Sequence, residues 1–275
     1  MKIRTCNAKE AGMKRICPKC SCAKIWSLKD GRFRCAKCRQ TFSDPRKYVH
    51  IKTTILRDVV EEFLLEHSTN IILNRVAISK YMLLKILTLL RVAMTHDLPE
   101  VFEGTVEVDE TYLGGQWKNK RLAFKYSSQK AKRGRGTTKQ AVFGILCRNG
   151  KVWADLIDSV EAKQLQSRIL KQVKKGSVIC SDTWRGYTGI AAQGYVHRLV
   201  KHSKNSYVNN GNHINGLEGF WGYLKRKLAA KGGIRAERLH LYLGEYVWRY
   251  NHRHMDLKEQ QSYLLKLLNK YIRSG

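Results

Sequence analysis

The chain has 275 residues, with 52 Lys plus Arg against 22 Asp plus Glu, a formal charge of +30. So large an excess of one sign gains nothing from small neutral substrates, whereas a polyanion turns it into binding free energy through counterion release, which makes nucleic acid the expected partner. With 43% hydrophobic residues the chain can bury a sizeable core, which excludes intrinsic disorder.

The first thirteen residues carry basic charge but lack the apolar stretch of a secretory leader. Four cysteines, Cys17, Cys20, Cys35 and Cys38, then form two C-x-x-C knuckles. Two thiols turned to one point by each knuckle complete the closed tetrahedral shell of one structural zinc ion. Asp30-Gly31 between the knuckles signals a hairpin, so a zinc ribbon of three short strands is predicted, with Phe33 and Phe42 as its small core. Cys22 is a spare thiol. Cys147 and Cys180 lie in apolar runs and are expected in the core.

From Ile51 to Thr95 the apolar period is helical. A first run holds Ile55, Val59, Val60, Phe63 and Leu64, a denser one spans Ile78 to Met94, and Ser68-Thr69-Asn70 separates them. Ser79, Tyr81, Leu84, Lys85 and Thr88 fit the recognition helix of a helix-turn-helix; a helical linker is the alternative. Lys80, Lys85 and Arg91 interrupt the second run, so no membrane span is expected, and the chain is expected in the cytoplasm, associated with the nucleoid.

After Gly104 the period becomes that of strands: a first from Val106 to Val108, then Gln140–Cys147 and Val152–Ile157, joined by an Asn149-Gly150 turn. Residues 161–173 have helical spacing, Val178-Ile179-Cys180 is a buried strand, and residues 195–200 form another short one. The segment from Gly114 to Lys139 is rich in basic residues. Lys118, Lys120, Arg121, Lys132, Arg133 and Arg135 within it are candidate phosphate contacts.

Asp109 is read at the end of the first strand and Asp182 at the end of a buried one, where ligands gather in open α/β sheets. Glu218 lies on a helix whose stripe of Leu217, Trp221, Leu224 and Leu228 is predicted to face the sheet. Lys225, seven residues later, shares its edge, with Asn215 one turn earlier. Three such carboxylates offer the hard oxygens that Mg²⁺ prefers, and two ions can clamp both sides of an in-line phosphoryl displacement. Glu107, Glu110, Asp155 and Asp158 also border strands and are expected to be solvated or ion-paired.

Asp109 in VEVDETYLGG, Asp182 in SDTWRGY, and HINGLEGFWGYLKRKL followed by YLGEYVWRYNHR together resemble the DDE transposases of bacterial insertion sequences, in the group with an N-terminal zinc ribbon. The spacing of 36 residues from Asp182 to Glu218, with Lys225 seven beyond, matches the D-D-E/K pattern. The resemblance implies an α/β, RNase H-like catalytic domain with a mixed sheet flanked by helices. It implies catalytic Asp109, Asp182 and Glu218 holding two Mg²⁺, with Mn²⁺ able to substitute, and Asn215 and Lys225 as helpers. It further implies Lys225 and Arg226 on DNA, binding to terminal inverted repeats and target duplex, and a homo-oligomer of at least two copies.

Members of this group place Asn or His where the third acid is expected. His213 and Asn215 are therefore alternatives to Glu218, which is preferred because a carboxylate binds Mg²⁺ better than an amide. The expected organisation is ribbon 1–46, helical segment 47–100, catalytic domain 101–255 and C-terminal helix 256–275. An RNase H-like nuclease without strand transfer and a non-enzymatic zinc-ribbon regulator remain the rival functions. Paired histidines of a nicking enzyme do not fit His252-Arg253-His254, whose middle residue is charged.

Overall fold

The computed structural model describes residues 17, 19–20, 22–29, 32–42, 51–97, 99, 101–114, 139–148, 150–182, 187, 189–200 and 214–273. The chain divides into two compact units, one made of residues 1–97 with 255–275 and the other of residues 98–254. The basic candidates from Lys118 to Arg135, and His213, lie outside the described residues.

In the first unit β1 (Ile25–Ser27), β2 (Phe33–Cys35) and β3 (Thr41–Phe42) form an antiparallel ribbon. Phe33 packs on Phe42 with ring centroids 6.0 Å apart, as the sequence predicts. So small a core cannot stabilise a ribbon alone.

Three helices follow: α1 (Thr53–Leu64), α2 (Thr69–Arg75) and α3 (Lys80–Thr95). The Ser68-Thr69-Asn70 separator is in fact a helix start. The Ser68 hydroxyl accepts from the Ile71 amide, and Ser79 caps α3 in the same way through the Met82 amide. Glu62 of α1 accepts from His67 Nδ1 at 2.6 Å and from Arg75 at 3.3 Å, tying both ends of α2 to α1. The C-terminal helix α7 (Leu257–Arg273) returns to this bundle and packs on α1 and α3. Its Tyr263 hydroxyl donates to Asp97 and its Tyr271 ring stacks on His96.

The second unit is a five-stranded mixed sheet of β4 (Thr105–Leu113), β5 (Gln140–Cys147), β6 (Val152–Ile157), β7 (Val178–Ser181) and β8 (Val196–Leu199). The spatial order is β6-β5-β4-β7-β8; the first three pair antiparallel, while β7 and β8 run parallel to β4. Crossing from β6 to β7 requires a helix, α4 (Ala162–Gln172), whose Leu165 and Ile169 join Val106, Val108, Phe143, Ile145 and Trp153 on one face. The other face is covered by α5 (Asn215–Ala229) and α6 (Leu239–Asn251).

Covered on both sides, β5 is buried from Ala141 to Cys147, which is why its sequence is a continuous apolar run. The mixed sheet with helices on both faces is the RNase H-like arrangement that the resemblance implies. Asn251 finishes α6 by bonding the backbone N–H and C=O of Val152 at 2.7 and 2.8 Å, which blunts the edge strand β6. Cys147 and Cys180 are core residues, and Asp155 pairs with Arg168, as expected. Among the described residues no helix is long and apolar enough to cross a membrane.

Candidate functional site

Strand β4 extends four residues past Asp109, so this acid lies mid-strand and not at a strand end. What ends there is its parallel neighbour. The last β4–β7 pair is Glu107 with Cys180; Asp109 lies two residues further along β4, and Asp182 two residues beyond Cys180, just past the end of β7. The strand continues because Glu110 to Leu113 stay paired with β5 on the other side. A carboxylate thus emerges at the carboxyl edge of the parallel pair while its backbone remains fixed in the sheet.

Trp221 holds this carboxylate. Its indole Nε1 donates to Asp109 Oδ2 at 3.0 Å. The indole reaches Asp109 across Gly144, the antiparallel partner of Asp109, where a Cβ would lie 2.5 Å from the Trp221 ring. An isolated glycine inside the apolar strand QAVFGILC is the sequence signal of such a close approach. Gly144→Ala is expected to push the indole off Asp109 and destabilise the fold by about 1–3 kcal/mol, as overpacking does, read as a fall in Tm. An unchanged Tm would show that the ring can slide aside.

Helix α5 buries Leu217, Phe220, Trp221 and Leu224, with Leu228 packed beside them, which is the stripe read from the sequence. That orientation brings the negative charge of Glu218 within electrostatic reach of Asp109. Burial pushes the Asp109 carboxyl up to about 6, and the charges of Asp182 and Glu218 add to the rise against the hydrogen bonds from the Glu110 amide and Trp221. Burial also pulls the Lys225 ammonium down, opposed by the charge of Asp109. Asp109, Asp182, Glu218 and Lys225 therefore share one electrostatic neighbourhood. Asn215 is the exposed first residue of α5, and Arg226 is exposed on the same helix.

Two neighbouring glutamates make hydrogen bonds inside the fold. Glu107 is only 1% exposed, so it is not solvated as expected, and its Oε2 accepts from the Leu217 amide at 2.9 Å. Glu110 points to the opposite face and accepts from the buried Tyr187 hydroxyl at 2.8 Å. Isolated carboxylates bordering a strand carry no sequence signal that separates these roles from solvation.

The ribbon carries a second candidate site. Cys17, Cys20, Cys35 and Cys38 bring their Sγ atoms within 4.8 Å of one another. The Cys17–Cys38 and Cys20–Cys35 sulfurs are each 3.5 Å apart. Amides of Lys19 and Cys38 point at Cys17 and Cys35 sulfurs, and the Cys38 amide pulls the Cys35 thiol down to about 6. Four soft thiols converging this closely fit a zinc ion. Cys22 stands apart with its thiol toward the Lys24 carbonyl. Among the described residues no other set of three or more His, Cys, Asp or Glu side chains converges this tightly, the three acids included.

Residues 101–251 match the ISXO2-like transposase domain. An uncharacterized transposase-like protein of Haemophilus influenzae is 34% identical over 118 residues, which is 43% of this chain and 94% of that protein. Among solved structures the chain is similar to the catalytic core domain of BIV integrase, at 16% identity over 63% of this chain and 100% of that one, with a TM-score of 0.37. It is also similar to the protein of the Mos1 strand transfer complex, at 12% identity over 83% of this chain and 79% of that one, with a TM-score of 0.31. The matched domain opens just before β4 and closes at the end of α6, spanning every acid of the candidate site; the chain belongs to the ISXO2-like transposase family.

Proposed function

We propose that this transposase binds the terminal inverted repeats of an insertion sequence and cuts and rejoins DNA strands by divalent-metal-dependent, in-line phosphoryl transfer. The observation that supports the reading is the β4–β7 register: Asp109 and Asp182 each follow its last pair by two residues, and Asp109 lies on the sheet face covered by α5, the helix of Glu218. Their hard oxygens suit Mg²⁺, with Mn²⁺ able to substitute, and two ions held by them would supply the positive charge that stabilises the pentavalent transition state. Water attacks phosphorus, the P–O3′ bond breaks, and the leaving oxygen takes a proton to become a 3′ hydroxyl. In the joining step that hydroxyl attacks a target phosphodiester, and the target's own 3′ oxygen leaves.

The protein's residues hold this arrangement together. Trp221 fixes the Asp109 carboxylate in one rotamer, and Lys225, within reach of its charge, would contact a phosphate beside the acids. Glu218 is the preferred third ligand, since a carboxylate binds Mg²⁺ better than an amide. Asn215 is a helper at the same helix end. Arg226 and the basic run of Lys118, Lys120, Arg121, Lys132, Arg133 and Arg135 would neutralise backbone phosphates.

In the other unit, α2 and α3 joined by a short turn suit a helix-turn-helix. Tyr81, 75% exposed, and Leu84 near the start of α3 would meet base edges. The ribbon would hold one structural zinc. A synaptic pair of ends calls for at least two copies of the chain, working in the cytoplasm on the nucleoid.

Incubation of the purified protein with Mg²⁺ and supercoiled DNA carrying the element's ends tests the proposal, because cleavage at the ends and joined products are expected together. Cleavage without joining would assign a nuclease. Tight binding with no cleavage in Mg²⁺ or Mn²⁺ would leave a zinc-ribbon regulator.

A further inference from the structure

We infer that the two glutamates flanking Asp109 on β4 are positioning residues, each of which fastens one of the other two acid-bearing segments to the central strand. The inference rests on the reading that Asp109, Asp182 and Glu218 hold the catalytic cations. Along a strand, side chains two apart share a face and neighbours oppose. Glu107 therefore faces α5 together with Asp109, while Glu110 faces the opposite core.

Glu107 supplies what the sequence of α5 lacks at its start. The residue preceding the helix, Ile214, has no side-chain oxygen to cap it, although the first turn of a helix leaves its amides without internal partners. The Glu107 carboxylate takes the Leu217 amide at 2.9 Å, acting as a cap delivered from the strand. Leu217 immediately precedes Glu218, so the bond lies one residue from the acid. Gly216 permits it: a Cβ there would lie 3.0 and 3.3 Å from the two Glu107 carboxylate oxygens.

Glu110 does the corresponding work for the segment after β7. Tyr187 follows Asp182 by five residues, is fully buried among Val106, Val108 and Ile190, and donates its hydroxyl to Glu110 at 2.8 Å. The strand that carries Asp109 is thus bonded on one side to the helix of Glu218 and on the other to the segment of Asp182. Burying a carboxylate at 107 is expensive compared with an apolar residue of similar volume, and removal of one partner leaves a buried donor unsatisfied. What the buried polar bond adds over apolar packing is direction, the requirement for three acids that must meet the same ions within a fraction of an ångström.

The test uses the full-length protein and Mn²⁺ as probe. Free Mn²⁺ is followed by electron paramagnetic resonance without DNA, and cleavage and binding of end DNA are followed separately. Tyr187→Phe removes one hydroxyl and keeps the ring, and Glu107→Met removes the acceptor at similar volume. Each is expected to weaken Mn²⁺ binding and slow cleavage by about 10–100-fold, as loss of a partner behind a metal ligand does, with end binding unchanged. Glu107→Gln keeps an oxygen for the Leu217 amide and is expected to restore both to within about threefold, since the amide oxygen accepts the same bond.

Wild-type Mn²⁺ binding and cleavage in Tyr187→Phe and Glu107→Met would overturn the inference. So would a Glu107→Gln variant as impaired as Glu107→Met. Asp109→Asn is the control that separates this from the catalytic reading. If it alone loses Mn²⁺ binding and cleavage, only the tethering fails; if it too retains both, the assignment of the acids fails.

Discussion

Asp109→Asn is expected to reduce Mg²⁺-dependent cleavage by about a thousandfold or more, because loss of a metal ligand removes several kcal/mol of transition-state charge stabilisation. Binding to end DNA should stay within a few fold of wild type, since Asp109 donates nothing to phosphates. The same substitution should have the opposite effect on folding when no divalent cation is added. Burial raises the carboxyl from 3.8 to about 6, so the folded state resists ionisation that the unfolded chain undergoes freely.

The stability linked to the neutral carboxyl is fully present below about pH 3.8 and is lost as pH rises through about 6. Above that window Asp109→Asn should be more stable than wild type by about 3 kcal/mol, a difference that vanishes below about pH 4. Urea melts at both pH values, beside cleavage assays, measure the two effects. Near-wild-type cleavage would remove Asp109 from the site, and equal stability at neutral pH would remove the electrostatic account.

The second large effect is expected from the ribbon. Three strands of two or three residues around Phe33 and Phe42 make too little core to fold alone. Structural zinc sites in small domains contribute an apparent ~10–16 kcal/mol at neutral pH, so a bound zinc ion is expected to decide whether this ribbon is folded. One zinc per chain is expected in protein purified without chelators. Cys17→Ser with Cys35→Ser should lose the metal and open the first forty or so residues to protease, while the five-stranded sheet stays protected. Zinc-free wild type with an intact ribbon would show that the thiols are an ordinary buried cluster.

Much of this molecule is legible one segment at a time. The knuckle spacing of Cys17, Cys20, Cys35 and Cys38 fixes a convergent cluster because a C-x-x-C turn has few geometries. The ranges of β5 and β6 follow from an apolar run and an Asn-Gly turn, and the buried stripe of α5 follows from a 3.6-residue period. These features are local: covalent geometry and side-chain periodicity settle them within about ten residues.

The tertiary structure decided what depends on partners far apart in sequence. The strand of Asp109 runs on to Leu113 because β5 pairs with it, and the equal offset of Asp109 and Asp182 from the last β4–β7 pair depends on a register between strands some seventy residues apart. No periodicity predicts that α7 returns to pack on α1 and α3, since an amphipathic helix names its apolar face but not what covers it. Nor does sequence distinguish Glu107 and Glu110 from solvated acids. A carboxylate's role is set by whichever donor the fold brings to it, here the Leu217 amide and the Tyr187 hydroxyl, and that choice is made only when helix, strand and segment meet.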